Sequence, residues 1–86
     1  MKIRFDKNFE KQFKKLTPKL KLQTRNRINI FIINPNDSKL RLHQLKGVYS
    51  DYFSINITGD VRALYYEEEG EYTVFAMIGT HSQLYG

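Results

Sequence analysis

Apolar positions recur along this chain with two different periods, and the change from one to the other divides it. A short alternation, Lys2-Ile3-Arg4-Phe5, predicts a first strand. Phe9, Phe13, Leu16 and Leu20 follow at spacings of four, three and four, which puts them on one helical face while Lys7, Lys11, Lys14 and Lys15 fall off it. Asp6 suits the N-cap of this helix. Thr17-Pro18 interrupts it and starts the next, with Thr17 as cap and Pro18 at the first helical position. The second helix is expected over residues 18–33, burying Leu20, Thr24, Ile28, Phe31 and Ile32 and leaving Lys21 and Arg25 outside. Asn34-Pro35-Asn36-Asp37 ends it. Helices joined by so tight a break should pack as an antiparallel hairpin.

Residues 38–47 read as a connecting segment whose leucines at 40, 42 and 45 clip it to the core, with Arg41, His43 and Lys46 accessible. The period then becomes two. Tyr49, Asp51, Phe53, Ile55 and Ile57 are expected on one face of a strand, and Tyr52, Ser54 and Asn56 on the other. Thr58-Gly59-Asp60 forms a hairpin turn, and residues 61–67 form the next strand, with Arg62, Leu64 and Tyr66 opposing Val61, Ala63 and Tyr65. Residues 67–71 turn again and residues 72–78 close a three-stranded antiparallel meander. The order β-α-α-β-β-β predicts a single α+β domain over residues 1–86: a small antiparallel sheet with a helical hairpin on one face.

Composition sharpens this picture in three ways. With 86 residues the chain is near the lower limit for a core without staples, and the absence of cysteine removes disulfides and thiolate zinc sites. The longest apolar run, residues 30–33, is too short for a bilayer and no leader-like segment opens the chain, so a soluble cytoplasmic protein is expected. Charge is segregated. Up to Lys46 there are thirteen Lys and Arg against three acids, and beyond it Arg62 alone against six. A basic half of this kind points to RNA, DNA or an acidic protein, or else to solvated lysine faces on the two helices.

The open face of the sheet is where candidate chemistry gathers. Ser54 and Asn56 share it, Arg62 stands two residues past the hairpin turn, His81 leaves the last strand, and His43 and Lys46 lie in the segment entering the first. No HExxH, phosphate-binding glycine loop or Gly-x-Ser-x-Gly elbow is present, and the glutamates of residues 67–71 read as a solvated turn rather than a metal cluster. What remains is imidazole, guanidinium and ammonium, suited to proton transfer and anion stabilisation with no cofactor. RNA cleavage needs those parts, because the substrate's 2′-hydroxyl is the nucleophile. Histidine, with a reference pKa near ~6.5, serves either proton-transfer role. Arginine matches the phosphate oxygens. The bland alternative is a solvated terminal histidine, with Arg62 paired to Asp60 or Glu67.

His43-Gln44-Leu45-Lys46-Gly47, then Gly59-Asp60-Val61-Arg62-Ala63-Leu64-Tyr65, then Gly79-Thr80-His81-Ser82-Gln83-Leu84-Tyr85-Gly86 resemble the RelE/ParE superfamily of toxin–antitoxin toxins, closest to its YafQ branch. The resemblance implies a type II toxin that acts as a ribosome-dependent mRNA endoribonuclease, silenced by a cognate antitoxin. It implies that His81 is the branch's essential acid or base, that Tyr85 is the aromatic that packs on a nucleotide, and that His43 and Asp60 belong to the functional set. Ser54 and Asn56 stand where the branch has an aspartate and a histidine, while Arg62 matches the arginine that stabilises the scissile phosphate in the RelE branch. Lys46 adds a second cation. Such a mixed site implies an altered rate or codon preference.

The expected partners are therefore ribosome, mRNA and an acidic, partly disordered antitoxin, with Lys11, Lys15, Lys21 and Arg25 gripping RNA from the helices. Two alternatives stay open: a ParE-like toxin that inhibits DNA gyrase without nuclease chemistry, and a basic nucleic-acid-binding module.

Overall fold

The computed structural model describes residues 1–69 and 71–85; Gly70 of the second turn and Gly86 of the terminal motif lie outside the described residues. Strand β1 (Lys2–Phe5) leads into helix α1 (Lys7–Lys14) and helix α2 (Pro18–Ile33). Both helices start where the sequence places their caps. Asp6 accepts from the Phe9 N–H at 2.9 Å and Thr17 from the Leu20 N–H at 3.2 Å, each satisfying an otherwise orphaned donor. The chain then crosses through a 3-10 turn (Ser38–Leu40) to strands β2 (His43–Gln44), β3 (Phe53–Asn56), β4 (Val61–Glu68) and β5 (Tyr72–Thr80), and ends in helix α3 (His81–Tyr85).

The sheet has five strands in the order β1-β5-β4-β3-β2 and is mixed rather than wholly antiparallel, because β1 pairs in parallel with β5. The reason is topological. The helical hairpin carries the chain across to the far edge, and two hairpin turns then bring β5 back beside β1 in the same direction. The helices cover one face. Phe9, Ile28 and Phe31 pack there with Leu40, Ile55, Ile57, Ala63, Tyr65, Phe75 and Ile78. Thr24 is tolerated in this layer because its hydroxyl donates to the Leu20 carbonyl at 2.7 Å. Contact with the sheet stops at Phe31, so Ile32, expected inside, is exposed with Ile33 on the last turn.

Helix α1 also repairs the sheet. Pairing between β1 and β5 ends at Phe5 and Phe75, and a bulge follows in β5, where Tyr65 faces Phe75 but Leu64 faces Met77. Beyond that point the outer backbone groups of β5 lack a strand. The Asn8 amide donates to the Ala76 carbonyl at 3.2 Å, and the Gln12 carbonyl accepts from the Ile78 N–H at 2.8 Å. Two polar residues one helical turn apart thus hold the end of the strand from which α3 departs.

The segment before β3 departs most from its sequence pattern. Residues 47–49 form a 3-10 turn entered through Gly47 at φ +68°, not an extension of the strand. Tyr49 is consequently turned from the face of Phe53 to the opposite side, where its ring meets Tyr52 and Tyr85.

Candidate active site

The face opposite the helices carries the polar residues, and strand register shows which of them share it. His43 stands opposite Ser54, which stands opposite Leu64 and then Met77; in the next row Asn56, Arg62 and Gly79 lie abreast. Residues paired across a sheet point to the same side, so His43, Ser54, Asn56 and Arg62 converge. Arg41, His43, Asn56, Gly59 and Arg62 line one open depression.

Arg62 is held by backbone carbonyls, with no ion pair among the described residues. The Thr58 hydroxyl accepts from the Asp60 and Val61 N–H groups and so closes the turn, leaving the Thr58 and Gly59 carbonyls free. Arg62 Nη1 donates to those carbonyls, at 3.3 and 2.9 Å. Among the described residues the ion pair is Arg4 with Glu68 at 2.8 Å, and neither Asp60 nor Glu67 reaches Arg62. The guanidinium is therefore oriented by neutral dipoles, and no acid side chain among the described residues compensates its charge. His43 is oriented in a related way. Its Nδ1 lies 3.0 Å from the Arg41 carbonyl, which can only accept, so Nδ1 carries the proton and Nε2 is the free nitrogen. Arg41, not singled out from the sequence, supplies this carbonyl from a left-handed conformation (φ +47°, ψ +44°).

The C-terminal octapeptide is helical from His81 to Tyr85, which its sequence pattern did not reveal. A Thr-x-x-Gln capping box makes it so. The Thr80 N–H donates to Gln83 Oε1 at 2.8 Å, and the Gln83 N–H donates to Thr80 Oγ1 at 3.2 Å. Gly79 leaves room for the same motif: a Cβ there would stand 2.8 Å from Gln83 Oε1, and the capping side chain would have to shift. Leu84 is buried against the body of the protein. His81 and Tyr85, four residues apart, have ring centroids 4.8 Å apart, and Tyr85 in turn meets Tyr49 at 5.6 Å. Burial pushes the Tyr85 phenol above its ordinary pKa, with nearby Arg62 pulling the other way, so the hydroxyl stays protonated and lies within reach of Arg62's charge.

Ser54 sits beneath this arrangement. Its hydroxyl also draws the Tyr85 pKa downward, yet among the described residues no group completes hydrogen-bond geometry with the buried Ser54 Oγ. As placed it is closed to a substrate, whereas Asn56 is half-buried on the wall of the depression. Asp60 is exposed on the hairpin turn, and Lys46 is exposed at the start of the 3-10 turn after β2. Lys11, Lys15, Lys21 and Arg25 belong to the helical layer on the far side of the sheet. The Lys21 ammonium and the Arg25 guanidinium lie over the Phe13 ring, 6.0 and 5.3 Å from its centroid. Among the described residues no group of three or more His, Cys, Asp or Glu stands close enough to hold a metal ion, and no helix is long and apolar enough to cross a membrane.

A family model for the YafQ bacterial toxin of type II toxin–antitoxin systems matches residues 1–86. The chain belongs to the YafQ toxin family. As a YafQ-family chain it shares its fold with E. coli YafQ (TM-score 0.83, 19% identity, 98% of this chain and 97% of that one). E. coli YafQ in its complex with DinJ is similar at TM-score 0.80 and 19% identity, covering 98% and 96%. RelE from the RelB-RelE antitoxin–toxin complex of Methanococcus jannaschii follows at 0.74 and 21%, covering 95% and 94%. No individually curated protein matches the chain.

Proposed function

We propose that this YafQ-family toxin is a ribosome-dependent mRNA endoribonuclease that cuts by attack of the substrate's own 2′-hydroxyl, without a metal cofactor. The observation that carries this reading is the state of Arg62: a guanidinium fixed by two turn carbonyls, with no side-chain carboxylate of the described residues paired to it, on the wall shared with His43 and close to Tyr85. A buried or paired arginine would be structural. One held ready beside a depression suits a phosphate.

In the reaction one imidazole takes the 2′-hydroxyl proton, O2′ bonds to phosphorus, the P–O5′ bond breaks, and the departing 5′-oxygen receives a proton from the second imidazole. His43, with Nδ1–H tied to a carbonyl, offers Nε2 as the base; His81 is the acid. Arg62 takes up the charge that develops on the non-bridging oxygens, with Lys46 as an outer cation and Asn56 as a hydrogen-bonding wall. Asp60, next to Arg62 on the turn, limits how far the strand can slide past it by repelling the next phosphate. Tyr85 stacks on the nucleotide beside the cut. Lys11 and Lys15, on the opposite side of the domain, hold ribosomal RNA while the open face meets the message in the cytoplasm. Lys21 and Arg25 add their heads to the same surface. E. coli YafQ and M. jannaschii RelE were each solved with an antitoxin. The same is proposed for this toxin: an acidic, partly disordered antitoxin that orders on binding and covers the cationic surface.

The chemistry is tested by the ends it leaves. Ribosome-bound message treated with the toxin should yield 2′,3′-cyclic phosphate and 5′-hydroxyl ends, and a single 2′-deoxynucleotide on the 5′ side of the scissile phosphate should block the cut there. Cleavage that survives the deoxy substitution contradicts the mechanism. Growth arrest with intact message and inhibited gyrase supercoiling would replace it with the ParE-like reading.

A further inference from the structure

The two aromatic residue types divide between the two faces of the sheet. All six phenylalanines belong to the helix-covered side: Phe9, Phe31 and Phe75 are core, Phe13 and Phe53 pack against it, and Phe5 stacks on Phe9 and Phe75. Of six tyrosines only Tyr65 is in that core. Tyr49, Tyr52, Tyr66 and Tyr85 form a continuous run on the open side, with centroids 5.6 Å apart from Tyr85 to Tyr49, 6.2 Å to Tyr52 and 5.8 Å to Tyr66. Each is half-buried, so part of every ring remains in solvent. A cover that only had to exclude water would be as well made of phenylalanine. A wettable ring that still offers a stacking surface is what an exposed nucleobase platform needs.

The run begins at the candidate active site and ends at a second, polar depression walled by Tyr52 and Tyr66, with Asp51, Glu67, Gln44 and Ser50 around it. The Gln44 side-chain N–H already donates to the Ser50 carbonyl at 2.8 Å, which leaves its amide oxygen outward. With three carboxylates, those of Asp6, Asp51 and Glu67, and an amide oxygen, this depression is rich in acceptors and hostile to phosphate. It suits a base edge that donates.

We propose that Tyr49, Tyr52 and Tyr66 form a second nucleobase subsite, in line with Tyr85, and that Asp51 and Glu67 accept from the exocyclic amino group of the base stacked there. The occupant is a single-stranded RNA nucleotide flanking the cut whose base is adenine, cytosine or guanine; uracil, with no exocyclic amine, is disfavoured. This rests on the proposed RNA substrate and specifies which of its nucleotides is read.

The chain has no tryptophan, so tyrosine fluorescence reports directly on these rings. Purified toxin is titrated with four single-stranded RNA pentamers that differ in one base, A, C, G or U. Saturable quenching is expected with all four, weakest by several-fold for U. Tyr52→Leu and Tyr66→Leu should each weaken binding five-fold or more while keeping a cooperative urea unfolding transition, which separates lost stacking from lost fold. Asp51→Asn with Glu67→Gln should erase the difference between U and the other three. Equal binding of U by the wild type, unchanged binding by the leucine variants, or no saturable quenching with any pentamer overturns the subsite. Wild-type toxin that binds with the expected preference but leaves ribosome-bound message uncut sinks the nuclease reading and spares the subsite.

Discussion

At the scale of single residues, the site depends on how one cation and one hydroxyl are held. Arg62 is oriented by carbonyls that any residue could supply, so its removal should cost chemistry and little stability. Arg62→Ala is expected to lower cleavage about 10²–10³-fold, as loss of a preorganised anion-stabilising donor does, with an unchanged unfolding midpoint. Arg62→Lys keeps the charge but loses the fork, and should recover only part of the rate. Ser54 behaves in the opposite way. Its buried hydroxyl has no partner, so Ser54→Ala removes an unsatisfied group and should leave stability unchanged or raise it by up to ~1 kcal/mol in urea titration. A loss of several kcal/mol would reveal a hydrogen bond that the arrangement of Tyr85 does not show.

At the scale of elements, α3 is the part that places His81 and Tyr85, and its capping box governs it. Gln83→Ala should weaken the terminal helix by about 1 kcal/mol and reduce cleavage with no change at Arg62. Gly79→Ala pushes a Cβ into Gln83 Oε1 and should be more damaging. The two are coupled through that one atom, so their effects in a double-mutant cycle should be less than additive; additivity would place the damage in the β5 backbone instead. These elements also show what was legible in advance. The caps Asp6 and Thr17 are local statements, and the bounds of the second helix match the observed ones, while the first helix ends at Lys14, ahead of the Thr17-Pro18 break. The meander turns are equally local. The bulge at Ala76, the two-residue strand β2 and the 3-10 turn at Gly47 depend on what lies beside them in space, so period-two alternation alone extended β3 back to Tyr49. Alternation did identify Asn56 and Arg62 as neighbours, because register converts directly to a shared face. It could not find the Arg41 carbonyl or the Gln83 cap, which act through backbone groups, although Thr80-x-x-Gln83 was there to be read as a capping box.

For the whole molecule the decisive feature is two-sidedness. One face of the sheet is a phenylalanine core under basic helices, and the other is an open tyrosine surface with the candidate active site. Stability belongs to the first. Burial, with a smaller contribution from Glu67, pushes the Tyr65 phenol from 10.0 up to about 12. The folded state keeps a proton that the unfolded chain releases near pH ~10, so this contribution is complete below that pH and is lost as pH rises toward the folded value. Wild-type urea midpoints should therefore fall between those two pH values, and Tyr65→Phe should flatten the fall. The proposed activity belongs to the second face. The most direct measurement is 5′-end mapping of a message in a purified translation system, with wild type, His81→Ala and Arg62→Ala, with and without ribosomes. New 5′ ends are predicted only with wild type and only when ribosomes are translating. Equal cleavage by the two variants, or a message left whole by the wild type under translation, would contradict the assignment of this face as a ribosome-dependent nuclease site.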